Sequence, residues 1–158
     1  MHLKRWITSL VALPVVLVLI AEGGVYFLFL ICFVCAISLH EYYGIVFKDA
    51  RPTHPIPLLG LISGCLLIIA AGSGCYGIMP ALFSLNFMAS AALCVFRTGW
   101  SGVSVENMSK QLLGMVYIPL MLAFLVFLRL DPKGTSWIYF LLCIVFAGDI
   151  GALYVGTY

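Results

Sequence analysis

The longest stretch of the chain without Asp, Glu, Lys, Arg or His runs from Pro55 to Phe96. Such a segment cannot form the surface of a water-soluble domain, in which about 25% of the residues are charged. Apolar runs also recur from Trp6 onward, and 64% of all residues are hydrophobic while 9% are charged. The whole chain, rather than one anchor, is therefore predicted to lie in a lipid bilayer.

Runs such as Val11–Leu19 and Leu122–Leu128 are apolar at every position. In lipid, only helices and closed β-barrels satisfy all their backbone hydrogen bonds, and the strands of a barrel alternate apolar with polar residues. These runs do not alternate. We therefore predict an all-α fold, a polytopic transmembrane helical bundle in which residues 1–158 form a single transmembrane domain.

Breaks in the apolar pattern divide the sequence into about six spans, each near the length of about 17–25 residues that crosses a hydrocarbon core. The spans are predicted near residues 6–21, 24–41, 56–72, 77–96, 111–129 and 137–158. The glycines of Gly72-Ser73-Gly74 favour a turn, which would fold the uncharged stretch into a helical hairpin.

The basic residues predict the orientation, because Lys and Arg in short loops are retained on the cytoplasmic side. If the N-terminus is inside, only Arg129 and Lys133 lie on the far side. Both termini are then cytoplasmic. The remaining basic residues all fall on the cytoplasmic side: Lys4, Arg5, Lys48, Arg51, Arg97 and Lys110. They are scattered and the net charge is only +2, so no nucleic-acid partner is expected.

Asp149 is the clearest functional candidate, because a charged residue inside a bilayer is costly. It lies about twelve residues after Trp137, which corresponds to roughly 18 Å of helix. Gly148, Ala152 and Gly156 recur every four residues beside it and favour close approach of another helix. Asp149 is therefore predicted to face the bundle or a polar cavity. Pairing with a neighbouring helix, as a purely structural contact, is the alternative.

Two other motifs are weaker candidates. His40 and Glu41 stand at the predicted cytoplasmic end of the second span beside two tyrosines, which is typical of an interfacial anchor. Cys32 and Cys35 have the spacing of half a metal or redox site, but no second pair of ligands follows. We interpret these cysteines as packing residues.

Three segments of the chain carry motifs that occur together in one family. They are Asp149-Ile150-Gly151-Ala152-Leu153-Tyr154-Val155-Gly156, Lys4-Arg5-Trp6-Ile7-Thr8 and Ser38-Leu39-His40-Glu41-Tyr42-Tyr43. They resemble the Asp-x-x-Ala-Tyr-x-x-Gly segment, the opening helix and the aromatic-flanked acid of the phosphatidate cytidylyltransferases, also called CDP-diacylglycerol synthases. One difference is that Leu153 occupies the position of the family's tyrosine, and Tyr154 follows it.

The resemblance implies an enzyme that transfers the cytidylyl group of CTP to phosphatidate, releasing pyrophosphate and CDP-diacylglycerol for phospholipid biosynthesis. It implies Mg²⁺ as cofactor, with Asp149 as a catalytic residue and a direct or indirect metal ligand. The nucleotide-binding residues are not assigned. We expect CTP and phosphatidate as substrates and the lipid bilayer as the surroundings of the chain. A homodimer is one possible oligomeric state. The expected location is the cell inner membrane, as a multi-pass protein.

The resemblance covers only the N-terminal portion of the family pattern. The Ser-x-x-Lys-Arg, Lys-Asp, His-Gly-Gly and Asp-Arg-x-Asp elements that follow in the family do not occur in residues 1–158. We therefore expect a truncated chain that is inactive alone. Two alternatives stay open: a small polytopic transporter with Asp149 as an ion site, and a structural subunit with Asp149 as a packing clamp.

Overall fold

Helices account for almost all of the chain that the structure describes. The computed structural model describes residues 2–47, 55–98 and 102–156, and no β-strand occurs in those ranges. A π-helical turn at Val116–Leu120 joins the fifth helix to the sixth. The helices are α1 (His2–Glu22), α2 (Gly24–Val46), α3 (Pro55–Gly72), α4 (Ile78–Thr98), α5 (Gly102–Met115), α6 (Met121–Leu130) and α7 (Gly134–Gly156). The predicted all-α fold is confirmed.

Each predicted span coincides with a helical segment. Two of the segments, Ala12–Glu22 and Ile56–Gly72, are shorter apolar helices. Four others are long and apolar enough to cross a membrane: Gly24–Val46, Ile78–Phe96, Val105–Leu130 and Gly134–Gly156. The chain is therefore a polytopic membrane protein. The cytoplasmic location of both termini stays a prediction.

Glycines with positive φ follow α1 and α3. Gly23 has a φ of 69° and donates its N–H to the carbonyl oxygen of Leu19 at 3.1 Å. Gly74, in the turn that follows α3, has a φ of 75°. Side chains other than hydrogen disfavour this backbone region, so glycine commonly ends helices in this way. The turn at Gly74 confirms the helical hairpin predicted for the uncharged stretch.

Pro119 lies within the π-helical turn between α5 and α6. Proline has no N–H to donate, and in a regular α-helix its ring clashes with the carbonyl group four residues earlier. The wider π turn accommodates the ring at this position. Pro119 is buried, and its Cγ lies 3.3 Å from the point that a Cβ on Gly64 would occupy. The missing side chain of Gly64 therefore lets α3 approach the turn closely.

The chain divides into two compact units, which are described separately. Unit 1 comprises Met1–Phe27 and Phe127–Tyr158, and unit 2 comprises Leu28–Val126. In unit 1, Arg129 donates to two carbonyl oxygens at the end of α1. The hydroxyl of Tyr139 on α7 donates to the carbonyl oxygen of Leu17 on α1 at 2.9 Å.

Side chains of α2 cover the glycines of α3 in unit 2. Leu39 lies against Gly64, and Leu28 lies against Gly72. No Cα atom of α2 lies within 8 Å of a Cα atom of α3, so the larger α2 side chains fill the space between the two helices. α3 itself packs closely on α4, α5 and the π turn. Gly64 and Gly72 thus leave room for the α2 side chains rather than for the α2 backbone.

Candidate functional site

Asp149 lies in the second half of α7, where the residues from Cys143 to Gly156 are exposed. Among the described residues it makes no hydrogen bond and no ion pair. No described atom lies within 4 Å of the point that a Cβ would occupy on Gly148, Gly151 or Gly156. Within unit 1, the described residues leave the second half of α7 uncovered. The inward orientation of Asp149 stays a prediction.

A buried polar contact joins α4 to α3 in unit 2. The side-chain amide of Asn86 donates to the hydroxyl of Ser63, and both residues are buried. The Ser63 hydroxyl lies 2.7 Å from the carbonyl oxygen of Leu59 in its own helix. It also lies 3.6 Å from the sulfur of Met115 on α5. Ser63 therefore links the backbone of α3 to side chains from two other helices.

A second group of polar side chains lies around Gly60, one turn before Ser63 on α3. The hydroxyl of Tyr43 on α2 and Nε2 of Gln111 on α5 both lie against Gly60, where a Cβ would run into them. The Tyr43 hydroxyl and both polar atoms of the Gln111 amide are buried without a regular hydrogen bond, as is the Ser90 hydroxyl on α4. Four helices thus contribute buried polar groups to unit 2.

Charged and aromatic groups lie where the last turns of α2 meet the middle of α5. The hydroxyl of Tyr42 donates to the backbone carbonyl oxygen of Lys110 at 3.0 Å. The Lys110 ammonium pairs with Glu106 at 2.6 Å and lies 6.0 Å from the centre of the Phe47 ring. Glu41 directly precedes Tyr42 in the last turns of α2, and its side chain is exposed. Its interpretation as an anchor, rather than a catalytic acid, stays a prediction.

The cysteines of α2 and α3 lie together but do not form a metal or disulfide site. The thiols of Cys35 and Cys65 are within hydrogen-bonding reach of each other. A disulfide needs Cα atoms less than about 7 Å apart. No Cα atoms of the two helices come within 8 Å. All three cysteines of this region, including Cys32, are free.

The described residues do not assemble the set of donor groups that Mg²⁺ requires. In residues 2–47, 55–98 and 102–156, no group of three His, Cys, Asp or Glu side chains is placed so that it could hold a metal ion. Mg²⁺ prefers octahedral oxygen ligands, of which Asp149 alone would supply one carboxylate. These residues do not by themselves fit a magnesium site.

The family to which the chain belongs follows from its sequence over almost its full length. The model of the cytidylyltransferase family matches residues 3–158. The chain belongs to the cytidylyltransferase family. No curated protein and no solved structure gave a match in the corresponding comparisons. The resemblance that Asp149 and the opening helix indicated is thereby confirmed.

Membership in the cytidylyltransferase family supports a CTP-dependent transfer and so a nucleotidyltransferase activity. The apolar helices place this cytidylyltransferase in a membrane. Sequence reasoning singled out Asp149 but missed the buried polar residues of unit 2. Asn86 and Gln111 were visible as amides in or beside apolar spans. The contact between Asn86 and Ser63 was not visible, because it depends on how α3 and α4 rotate against each other.

Proposed function

We propose that the chain forms part of a phosphatidate cytidylyltransferase. An oxygen of the phosphatidate phosphate would bond to the α-phosphorus of CTP, while the bond from that phosphorus to the leaving pyrophosphate breaks. The products are CDP-diacylglycerol and pyrophosphate. The match of the cytidylyltransferase family to residues 3–158 carries this proposal. The apolar helices support a lipid acceptor, because a diacyl substrate resides in the same bilayer as the chain.

Asp149 is the residue that we propose for the reacting site. A carboxylate in a membrane-spanning helix costs on the order of 2.5–3.5 kcal/mol of free energy, unless it faces protein, water or a ligand. Gly156 lies two turns after Asp149 on nearly the same side of α7, and no other described residue of unit 1 lies close to it, which leaves room for a further group. Because one carboxylate does not make a magnesium site, we propose that Asp149 acts with ligands from outside the described residues. Magnesium dependence is part of the proposal.

The test expresses the gene that encodes residues 1–158, with any coding sequence that continues it, in bacterial membranes. Those membranes are assayed for conversion of phosphatidate to CDP-diacylglycerol, with and without CTP and Mg²⁺. The change Asp149→Asn removes the charge but keeps the size of the side chain. We expect it to lower the rate at least about a hundredfold, as is typical when a group that stabilises the transition state is lost.

Asp131→Asn is the matched control, because it makes the same chemical change in the exposed turn before α7. Asp131 accepts a hydrogen bond from the backbone N–H of Lys133, and we place it away from the reaction. We expect its activity to stay close to that of the unchanged chain. Equal rates for both variants would remove Asp149 from the site. If the membranes form no CDP-diacylglycerol when CTP and phosphatidate are supplied, the proposed substrate is wrong.

Residues 1–158 alone are proposed to be inactive, because the later motifs of the family pattern do not occur in them. The same assay on membranes that contain only residues 1–158 tests this. Detectable CDP-diacylglycerol above the level of empty membranes would contradict it. We also propose that the protein is located in the cell inner membrane, which fractionation of the expressing cells would test.

A further inference from the structure

Three thiols lie together where α2 faces α3 in unit 2. Cys32 and Cys35 are about one turn apart on α2, and Cys65 comes from α3. The thiols of Cys35 and Cys65 are within hydrogen-bonding reach of each other, and Cys32 is close enough to interact electrostatically with both. The sequence shows only the pair on α2, so the third thiol is evident only from the structure.

The separation of the two helices prevents a disulfide but leaves the sulfur atoms of Cys35 and Cys65 close together. No Cα atom of α2 lies within 8 Å of a Cα atom of α3, whereas a disulfide needs a separation below about 7 Å. The two side chains therefore meet at their tips. A bridge with one atom inserted between the sulfurs is longer than a disulfide, so it can join them without drawing the helices together.

The surroundings of these thiols favour an uncharged reagent. Cys35 is buried at 0% exposure, and Cys32 and Cys65 are partly exposed. The exposed side of a residue within a membrane span borders lipid, which contains no water to solvate an ion. Charge in the hydrocarbon core is costly. A reagent that is neutral both before and after it binds the thiols meets these conditions.

We propose that Cys35 and Cys65 form a dithiol site for monosubstituted trivalent arsenicals, R–As=O. Two As–S bonds form, the two S–H bonds and the arsenic–oxygen bond break, and the oxygen leaves with both protons as water. Arsenic stays trivalent, so the step needs no oxidant or reductant. Reagent and product are neutral, and soft centres of this kind prefer sulfur ligands. The partly exposed side of Cys65 leaves room for the group R toward the lipid.

Titration of the whole chain in nanodiscs with phenylarsine oxide tests the proposal. Intact mass spectrometry should show one bound phenylarsenic group and the loss of two free thiols. Cys65→Ser leaves only one of the two linked bonds, and we expect it to weaken binding roughly a hundredfold. Cys143→Ser is the matched control, because it removes a membrane thiol outside this group. We expect it to bind as tightly as the unchanged chain.

The position of the bridge gives a second, independent measurement. After proteolysis of the treated chain, mass spectrometry should recover a peptide with Cys35 joined through phenylarsenic to a peptide with Cys65. Cys32→Ser should leave this linked pair and its affinity unchanged, because Cys32 is not one of the two bridged thiols. Arsenic bound between Cys32 and Cys35 alone, or unchanged affinity in Cys65→Ser, would overturn the proposal.

Discussion

Arg129 at the end of α6 donates a hydrogen bond from Nε to the carbonyl oxygen of Ile20 at the end of α1, across 3.1 Å. Its Nη2 lies 3.3 Å from the carbonyl oxygen of Ala21. The last carbonyl groups of a helix have no partner within the helix and carry a partial negative charge. A guanidinium at that point stabilises the helix end by hydrogen bonding and by charge.

Replacing Arg129 with methionine is expected to lower the free energy of unfolding by about 1–2 kcal/mol, because two hydrogen bonds from a charged donor are lost. Chemical denaturation in detergent would measure it. Lys133→Met is the control, since Lys133 is an exposed cation in the next turn. Equal effects of the two changes would show that the charge alone, and not the bonds to α1, stabilises the fold.

Gly60→Ala tests the close packing of α2, α3 and α5. The added methyl group would run into the Tyr43 hydroxyl and the Gln111 amide. Overpacking of this kind typically costs about 1–3 kcal/mol, and we expect a loss of stability in that range. Gly44→Ala on α2 is the control, because no atom of the described residues lies within 4 Å of its Cβ position. There, alanine should be neutral or stabilising, as expected for an open helical position.

The contact between Asn86 and Ser63 is expected to couple α4 to α3 energetically. A double-mutant cycle with Asn86→Ala and Ser63→Ala should give a coupling energy near the average for membrane proteins, about 0.6 kcal/mol, and not above about 1.7 kcal/mol. The control cycle combines Ser84→Ala with Ser63→Ala, because Ser84 is exposed on the same helix as Asn86. The control pair should be additive, and additivity in the first pair would mean that the hydrogen bond contributes nothing.

Cys75 provides a test of the orientation. It is exposed in the turn between α3 and α4, which the distribution of basic residues places on the side opposite the N-terminus. A membrane-impermeant maleimide should label Cys75 in intact spheroplasts, and Cys75→Ser should abolish that labelling. Labelling that occurs only after the membrane is opened would reverse the predicted topology.

The helical hairpin was predictable from the sequence, whereas the boundaries of α2 and α5 were not. The turn near Gly74 was predictable, because an uncharged stretch twice the length of a span must turn back and glycine favours positive φ. The helix ends were less predictable. α2 continues to Val46 and α5 begins at Gly102, beyond the apolar limits of the spans predicted at 24–41 and 111–129. Hydropathy predicts which residues lie in the apolar core of the bilayer. A helix can extend beyond that core, because its backbone hydrogen bonds also form at the membrane surface.

The sequence by itself determined that this protein is a set of membrane helices, and its motifs indicated the cytidylyltransferase family that the comparison confirmed. Helix formation in lipid depends on local hydrogen bonds and on apolar composition, and both depend on residues that are close together in the sequence. Only the tertiary structure decided that Asn86 meets Ser63, that Gln111 and Tyr43 converge on Gly60, and that Arg129 binds the end of α1. These contacts depend on the rotation and depth of each helix against its neighbours, which side-chain packing between distant segments sets.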